Sequence, residues 1–119
     1  MVSVNSLGNC KSSVSQRGKL PLRPGANWVS NALKAYADIG DIVILISSSG
    51  TSKNIVNAAS YCNENNIPLL TLSGFKRDNP LSKLGDVNIH VESESYNFIE
   101  MSHHIILVAI VDIFAQKLA

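Results

Sequence analysis

Cysteine is scarce: Cys10 and Cys62 are the two in 119 residues. Two thiols do not make the disulfide framework of a small secreted domain. A chain of this length buries about two-thirds of its unfolded surface without one. Both are read as free thiols of a reducing compartment. Aromatic residues are few, at 6%, and Trp28 and Tyr36 read as core or interface rings, not a nucleotide stack. An excess of either charge is also missing: ten Lys+Arg against nine Asp+Glu leave a net charge of +1. That balance makes no electrostatic case for nucleic acid or a membrane surface. Residues 1–20 are polar throughout and carry no secretory-type apolar stretch. The most apolar run, 105–111, lies between His103-His104 and Asp112. It is shorter than the about 17–25 residues a membrane span needs. The expectation is a soluble, cytoplasmic protein that binds neither membrane nor nucleic acid.

What remains is 45% hydrophobic and 16% charged, the composition of one folded domain. Residues 1–25 are rich in Ser, Gly, Lys, Arg and Pro. A short strand within 1–7 is followed by loop punctuated by Gly8, Gly18, Pro21, Pro24 and Gly25. From residue 26 the pattern is regular. Trp28, Val29, Ala32, Leu33 and Tyr36 keep helical spacing behind Asn27 as cap. Residues 42–46 are an unbroken β-branched and Leu run, as in a strand buried on both faces. After a polar turn, Ser52 is placed to cap a helix to about Asn65, with Ile55, Val56, Ala59 and Cys62 inward. A strand at 68–72, a short helix at 80–84 behind Asn79-Pro80, a strand at 87–91 and a long apolar helix at 98–118 follow. Alternating strands and helices imply a parallel sheet with right-handed crossovers.

The segment with most chemistry is Ile46-Ser47-Ser48-Ser49-Gly50-Thr51-Ser52-Lys53-Asn54, between a buried strand and a helix start. In open parallel sheets ligands bind at the carboxyl ends of strands, and a helix start presents amide donors and partial positive charge. Short hydroxyl side chains add donors without blocking a phosphate, and Gly50 allows a tight bend. A Walker lysine is missing, since Thr51 follows Gly50. The pattern therefore fits a phosphate monoester on a small molecule, not a nucleotide. The simpler alternative is a Ser/Gly turn with a capping serine.

These residues resemble the phosphate loop of SIS (sugar isomerase) domains, which carry Ser-x-Ser-Gly-x-Ser/Thr after a buried strand. Gly40-Asp41 resembles the family's lead-in to that strand. Leu72-Ser73-Gly74, then Asn79-Pro80-Leu81-Ser82-Lys83-Leu84-Gly85-Asp86, resembles its Ser-Pro-Leu-Ala-Lys-Leu-Ala-Asp signature. Phe98-Ile99-Glu100-Met101 resembles the start of its closing helix, and the nearest subgroup is phosphoheptose-isomerase-like. The resemblance covers about residues 26–118. It implies an α/β three-layer sandwich with a flavodoxin-like, doubly wound parallel sheet. The domain limits are then 1–25, an atypical N-terminal segment, and 26–119, an SIS-like domain. It further implies that Ser47, Ser48, Ser49 and Ser52 hold a sugar phosphate, with Thr51 between them. The implied partners are a phosphorylated monosaccharide and further copies of the chain, as a dimer or tetramer; no cofactor is implied.

The departures define the rest. The family's opening helices and first strand, with a Gly-Asn-Gly-Gly-Ser loop and a glutamate-bearing helix, are missing or degenerate. Gly8-Asn9-Cys10-Lys11-Ser12 is a remnant of that loop, or residues 2–15 match the family's second strand. The missing strand leaves an expected open edge on the sheet. On the closing helix the family has Gln-Glu-Val-His and a later histidine. The corresponding residues here are Ile99, Glu100, Met101 and Ser102, then Leu107. Aldose–ketose isomerisation needs a base and an acid. Glu100, His103 and His104, at i, i+3 and i+4, share a helix face, and Glu100 with His104 forms the candidate acid–base pair. A solvated polar stripe is the competing reading, and no metal is expected from a single Glu-x-x-His pair. Glu92 and Glu94 belong to a polar loop, His90 to a strand, Lys76-Arg77 to a turn after a strand end, and Cys62 to the core. Three functions stay open: a sugar-phosphate isomerase, a non-catalytic sugar-phosphate-binding module, or an inactive truncated domain.

Overall fold

A computed structural model describes the backbone of residues 2–4, 10–12 and 27–118, and the side chains of 27–118. The unbroken apolar run at 42–46 forms strand β3 (Ile42–Ile46), in which Val43, Ile44 and Leu45 are all buried. Strand β3 pairs in parallel with β4 (Leu69–Ser73), and β4 pairs in parallel with β5 (Val87–His90). The connections are helix α2 (Lys53–Glu64) between β3 and β4, and a 3-10 turn, Pro80–Lys83, between β4 and β5. Helix α1 (Trp28–Tyr36) precedes β3, and α3 (Tyr96–Leu118) closes the chain. The central sheet is thus parallel, as the alternation of elements requires.

The N-terminal segment departs from expectation. Strands β1 (Val2–Val4) and β2 (Cys10–Ser12) form an antiparallel pair, and β1 lies antiparallel along β3. The sheet order is β2-β1-β3-β4-β5. The edge of β3 expected to be open is therefore occupied, because unpaired backbone beside a buried strand is costly. Cys10 to Ser12 are strand and not a remnant loop at those positions. The expectations for Gly8, Asn9 and residues 13–25 lie outside the described residues.

One core lies between the sheet and the α1–α2 pair. Val43, Leu45 and Leu69 of the sheet meet Val29 and Leu33 of α1, Ala58, Ala59 and Cys62 of α2, and Leu81 of the 3-10 turn. Cys62 is core packing, as its place on the inner helix face implied. Tyr36, expected in the core or an interface, is exposed. By the two-residue period of a strand, Ile44 and Leu72 face the other side of the sheet, and both are buried.

Helix α3 supplies the third layer, and it is anchored by few residues. Only Ile99 and His103 of α3 are buried among the described residues. Ile99 lies against Gly74, where an added Cβ would come within 2.6 Å of Ile99 Cδ1. Beyond that anchor, Phe98, Met101, Ile105, Val108, Val111, Ile113, Phe114 and Leu118 are exposed. By length and composition α3 is able to cross a membrane. This corrects the estimate from 105–111 alone, because the helix extends well beyond that run on both sides.

Candidate functional site

The carboxyl ends of β3, β4 and β5 lead into the loops 47–52, 74–79 and 91–95 along one sheet edge. Loop 47–52 continues from β3 with Ser47 N donating to Leu72 O at 3.0 Å. It then bends at Gly50, whose φ is +69°. Gly50 N donates to Ser47 O and Ser47 Oγ, each at 3.1 Å. Ser49 Oγ and Thr51 Oγ1 are 2.8 Å apart and hydrogen-bonded, and Ser49 Oγ also accepts from Thr51 N at 3.3 Å. Three of the loop's hydroxyls thus shape the loop itself. The Ser48 and Ser52 hydroxyls make no hydrogen bond among the described residues.

Ser52 occupies the N-cap position of α2, but its side chain makes no capping bond. Val56 N donates to Ser52 O in the first bond of the helix. The amides of Ser52 and Lys53 lie upstream of that bond, at the positive end of the helix dipole. A hydroxyl-rich bend that runs into upstream helix amides has the chemistry that suits a small dianion. The caps expected of Asn27 and Ser52 are therefore positional only. Asn27 Oδ1 instead accepts from Asn57 Nδ2 at 3.1 Å.

The residue that sequence reasoning valued too little is Asn79. The sequence reads it as a helix cap at the head of the family-like signature segment, and Asn79 Oδ1 does accept from Ser82 N at 2.9 Å. It is also 3% exposed and lies against the Gly50 backbone, where an added Cβ would meet Asn79 Oδ1 at 1.9 Å. Asn79 Nδ2 donates to Ser73 Oγ at 3.1 Å, to Lys76 O at 2.7 Å and to Gly74 O at 3.4 Å. Leu81 N donates to Gly50 O at 3.1 Å, fastening the 3-10 turn to the loop. A Pro-preceding Asn two loops away from a glycine bend carries no one-dimensional sign of that contact.

The three helical candidates separate in space. His103 is 2% exposed and its Nε2–H donates to Ser73 O at 2.9 Å. Its Nδ1 is buried without a partner among the described residues. Glu100 and His104 are exposed, and no hydrogen bond or ion pair joins either to loop 47–52 among the described residues. The stripe that matters pairs Ile99 with His103, at i and i+4. It was hidden because α3 is apolar around its circumference.

The neighbouring loops form a rim. Arg77 and Glu92 make an exposed ion pair at 2.8 Å, so Arg77 of the solvated turn is paired across to the acidic loop. Phe75 N donates to Ser93 O at 3.1 Å, and the Phe75 and Tyr96 rings meet edge to face at 4.6 Å. A separate depression lined by Cys62, Asn63, Asn66, Ile67, Pro68 and Asp86 lies at the amino end of β4, away from this edge. Burial, with the Asp86 carboxylate adding to it, pushes the Cys62 thiol up to about 11. It is not an activated nucleophile. His90 lies at the end of β5, with both ring nitrogens buried and unpartnered among the described residues.

A parallel α/β sheet with helices on both faces and a hydroxyl-lined bend at its carboxyl edge is a domain of the open-sheet class, in which ligands bind at the carboxyl ends of strands. The chain belongs to the SIS domain family, whose model matches residues 29–115. It is 36% identical over 92 residues to the phosphoheptose isomerase of Sulfurimonas denitrificans, covering 77% of this chain and 47% of that protein. It is 33% identical over 91 residues to that of Colwellia psychrerythraea, covering 75% and 46%. The chain thus spans about half the length of the curated relatives it matches. Among solved structures it resembles the phosphoheptose isomerase of Neisseria gonorrhoeae. The TM-score is 0.65 and the identity 25%, covering 72% of this chain and 49% of that one. A phosphoheptose isomerase of Francisella tularensis shares the fold, with a TM-score of 0.67 at 24% identity over 74% and 47% of the two chains.

Proposed function

We propose that the chain binds a phosphorylated monosaccharide through loop 47–52 and serves aldose–ketose isomerisation of such a sugar, in carbohydrate metabolism. The observation that supports this reading is the left-handed bend at Gly50 in a hydroxyl-rich loop that runs into the N-terminus of α2, where Ser52 stands at the N-cap position with its side chain making no capping bond. The phosphoheptose isomerase relatives support the substrate class. In this reading Ser47, Ser49 and Thr51 hold the loop's shape while Ser48 and Ser52 meet the phosphate. Glu100 and His104 are the candidate acid–base pair. No cofactor is needed, because proton transfer between adjacent carbons is general acid–base chemistry.

A second reading is a non-catalytic sugar-phosphate-binding module. It is favoured by the lack of any bond from Glu100 or His104 to the loop, and by Ser102 and Leu107 standing where the resemblance calls for histidines.

The apolar surface of α3 supports assembly with further copies of the chain, because eight large apolar side chains in water are unfavourable. The family model reaches residue 115, so α3 belongs to the globular domain. The reading is therefore of a soluble, cytoplasmic oligomer in which α3 is covered by another copy of the chain.

Calorimetric titration with sedoheptulose 7-phosphate tests the binding. Saturable binding weakened about tenfold by Ser52→Ala, the loss of one charge-assisted hydrogen bond, supports the reading. Unchanged affinity in Ser48→Ala and Ser52→Ala removes the loop from the site. Turnover of the same sugar phosphate, or binding without turnover, separates the isomerase from the module.

A further inference from the structure

We infer that His103 and Asn79 are positioning residues for loop 47–52, acting through Ser73. The inference rests on the phosphate-site reading of that loop and names what sets its shape. Ser73, the last residue of β4, is fully buried. Its carbonyl accepts two hydrogen bonds, from Val91 N at 2.9 Å and from His103 Nε2 at 2.9 Å. Its hydroxyl accepts from Asn79 Nδ2 at 3.1 Å. Asn79 in turn lies on the Gly50 backbone, and the next turn binds Gly50 O through Leu81 N. A continuous path of contacts therefore runs from α3 to the bend: hydrogen bonds from His103 to Ser73 and from Asn79 to Ser73, then close packing of Asn79 on Gly50.

The links are buried, so a bond broken along the path is not replaced by water: loss of His103 leaves the Ser73 carbonyl with Val91 N alone, and loss of the Ser73 hydroxyl takes an acceptor from Asn79 Nδ2. The path also explains why a histidine is buried on α3: leucine would fill the volume but leave the Ser73 carbonyl with one donor. The helix that closes the domain thereby sets the position of the loop, and the seating of Ile99 on Gly74 holds the two in register. Glu100, on the next position of the same helix, is placed relative to the loop by the same anchor.

The test is amide hydrogen exchange on the full chain without ligand, read at Gly50 and Leu81, with Val43 and Leu72 of the sheet as internal references. In His103→Leu and in Ser73→Ala, exchange at Gly50 and Leu81 is expected to quicken about tenfold, with the reference amides unchanged. His103→Gln, which keeps a side-chain N–H donor, is expected to restore the wild-type rate. Wild-type rates at Gly50 and Leu81 in both Ser73→Ala and His103→Leu overturn the inference. Quickening in Ser73→Ala alone removes His103 from it. If His103→Leu does not fold, His103→Asn, whose amide is too short to reach Ser73 O, takes its place. Calorimetry with sedoheptulose 7-phosphate on the same variants is a separate readout. A wild-type chain that binds no sugar phosphate defeats the functional reading, while the exchange data still decide the positioning.

Discussion

Asn79 sits on Gly50 so closely that a methyl group there would lie 1.9 Å from Asn79 Oδ1. The contact joins two loops from different strands into one surface at the carboxyl edge. It also makes Gly50 irreplaceable twice over, because φ at Gly50 is +69°.

Gly50→Ala is therefore expected to destabilise the fold by about 2–4 kcal/mol, from left-handed strain and overpacking together. It is also expected to abolish sugar-phosphate binding. Denaturant titration and calorimetry on the variant check both.

Gly74→Ala places a methyl group 2.6 Å from Ile99 Cδ1, which forces the anchor of α3 to shift. A loss of about 1–3 kcal/mol is expected by chemical denaturation, with increased proteolysis within α3. Ile99→Val in the same chain relieves part of it. Additive losses in the double variant contradict a direct contact.

Arg77→Ala breaks the ion pair with Glu92, whose two side chains are 73% and 78% exposed. Solvent screening limits the effect to about 0–0.5 kcal/mol, so thermal unfolding is expected to be nearly unchanged. A larger loss shows that the rim loops depend on this pair.

The Cys62 thiol is raised from 9.0 to about 11 by burial and by Asp86. A raised folded-state value means the unfolded chain loses its proton first. The contribution is therefore complete below about pH 9 and is lost as pH rises towards 11. The wild type is expected to lose stability across that window more steeply than Cys62→Ala, by denaturant midpoint. Parallel pH profiles exclude the effect. The native thiol is also expected to resist Ellman's reagent at pH 8 until the chain unfolds.

The exposed face of α3 predicts association. Wild-type chain is expected to sediment as an oligomer, and Ile105→Glu with Val108→Glu to sediment as a smaller, folded species. A monomeric wild type contradicts assembly through this helix.

The amino-acid sequence by itself determined the order of elements from Trp28 onward, the parallel core strands and the loop at 47–52. Each of these is written in local pattern: an unbroken apolar run at 42–46, helical spacing at 28–36, an Asn-Pro cap at 79–80, and a serine–glycine bend between strand and helix. Only the tertiary structure decided that β1 fills the edge of β3. It also separated His103, which turns inward to Ser73, from Glu100 and His104, which do not, and set Asn79 against Gly50. These are contacts between residues far apart in the chain, fixed by which polar groups need a partner once buried. Periodicity along one segment carries no record of them.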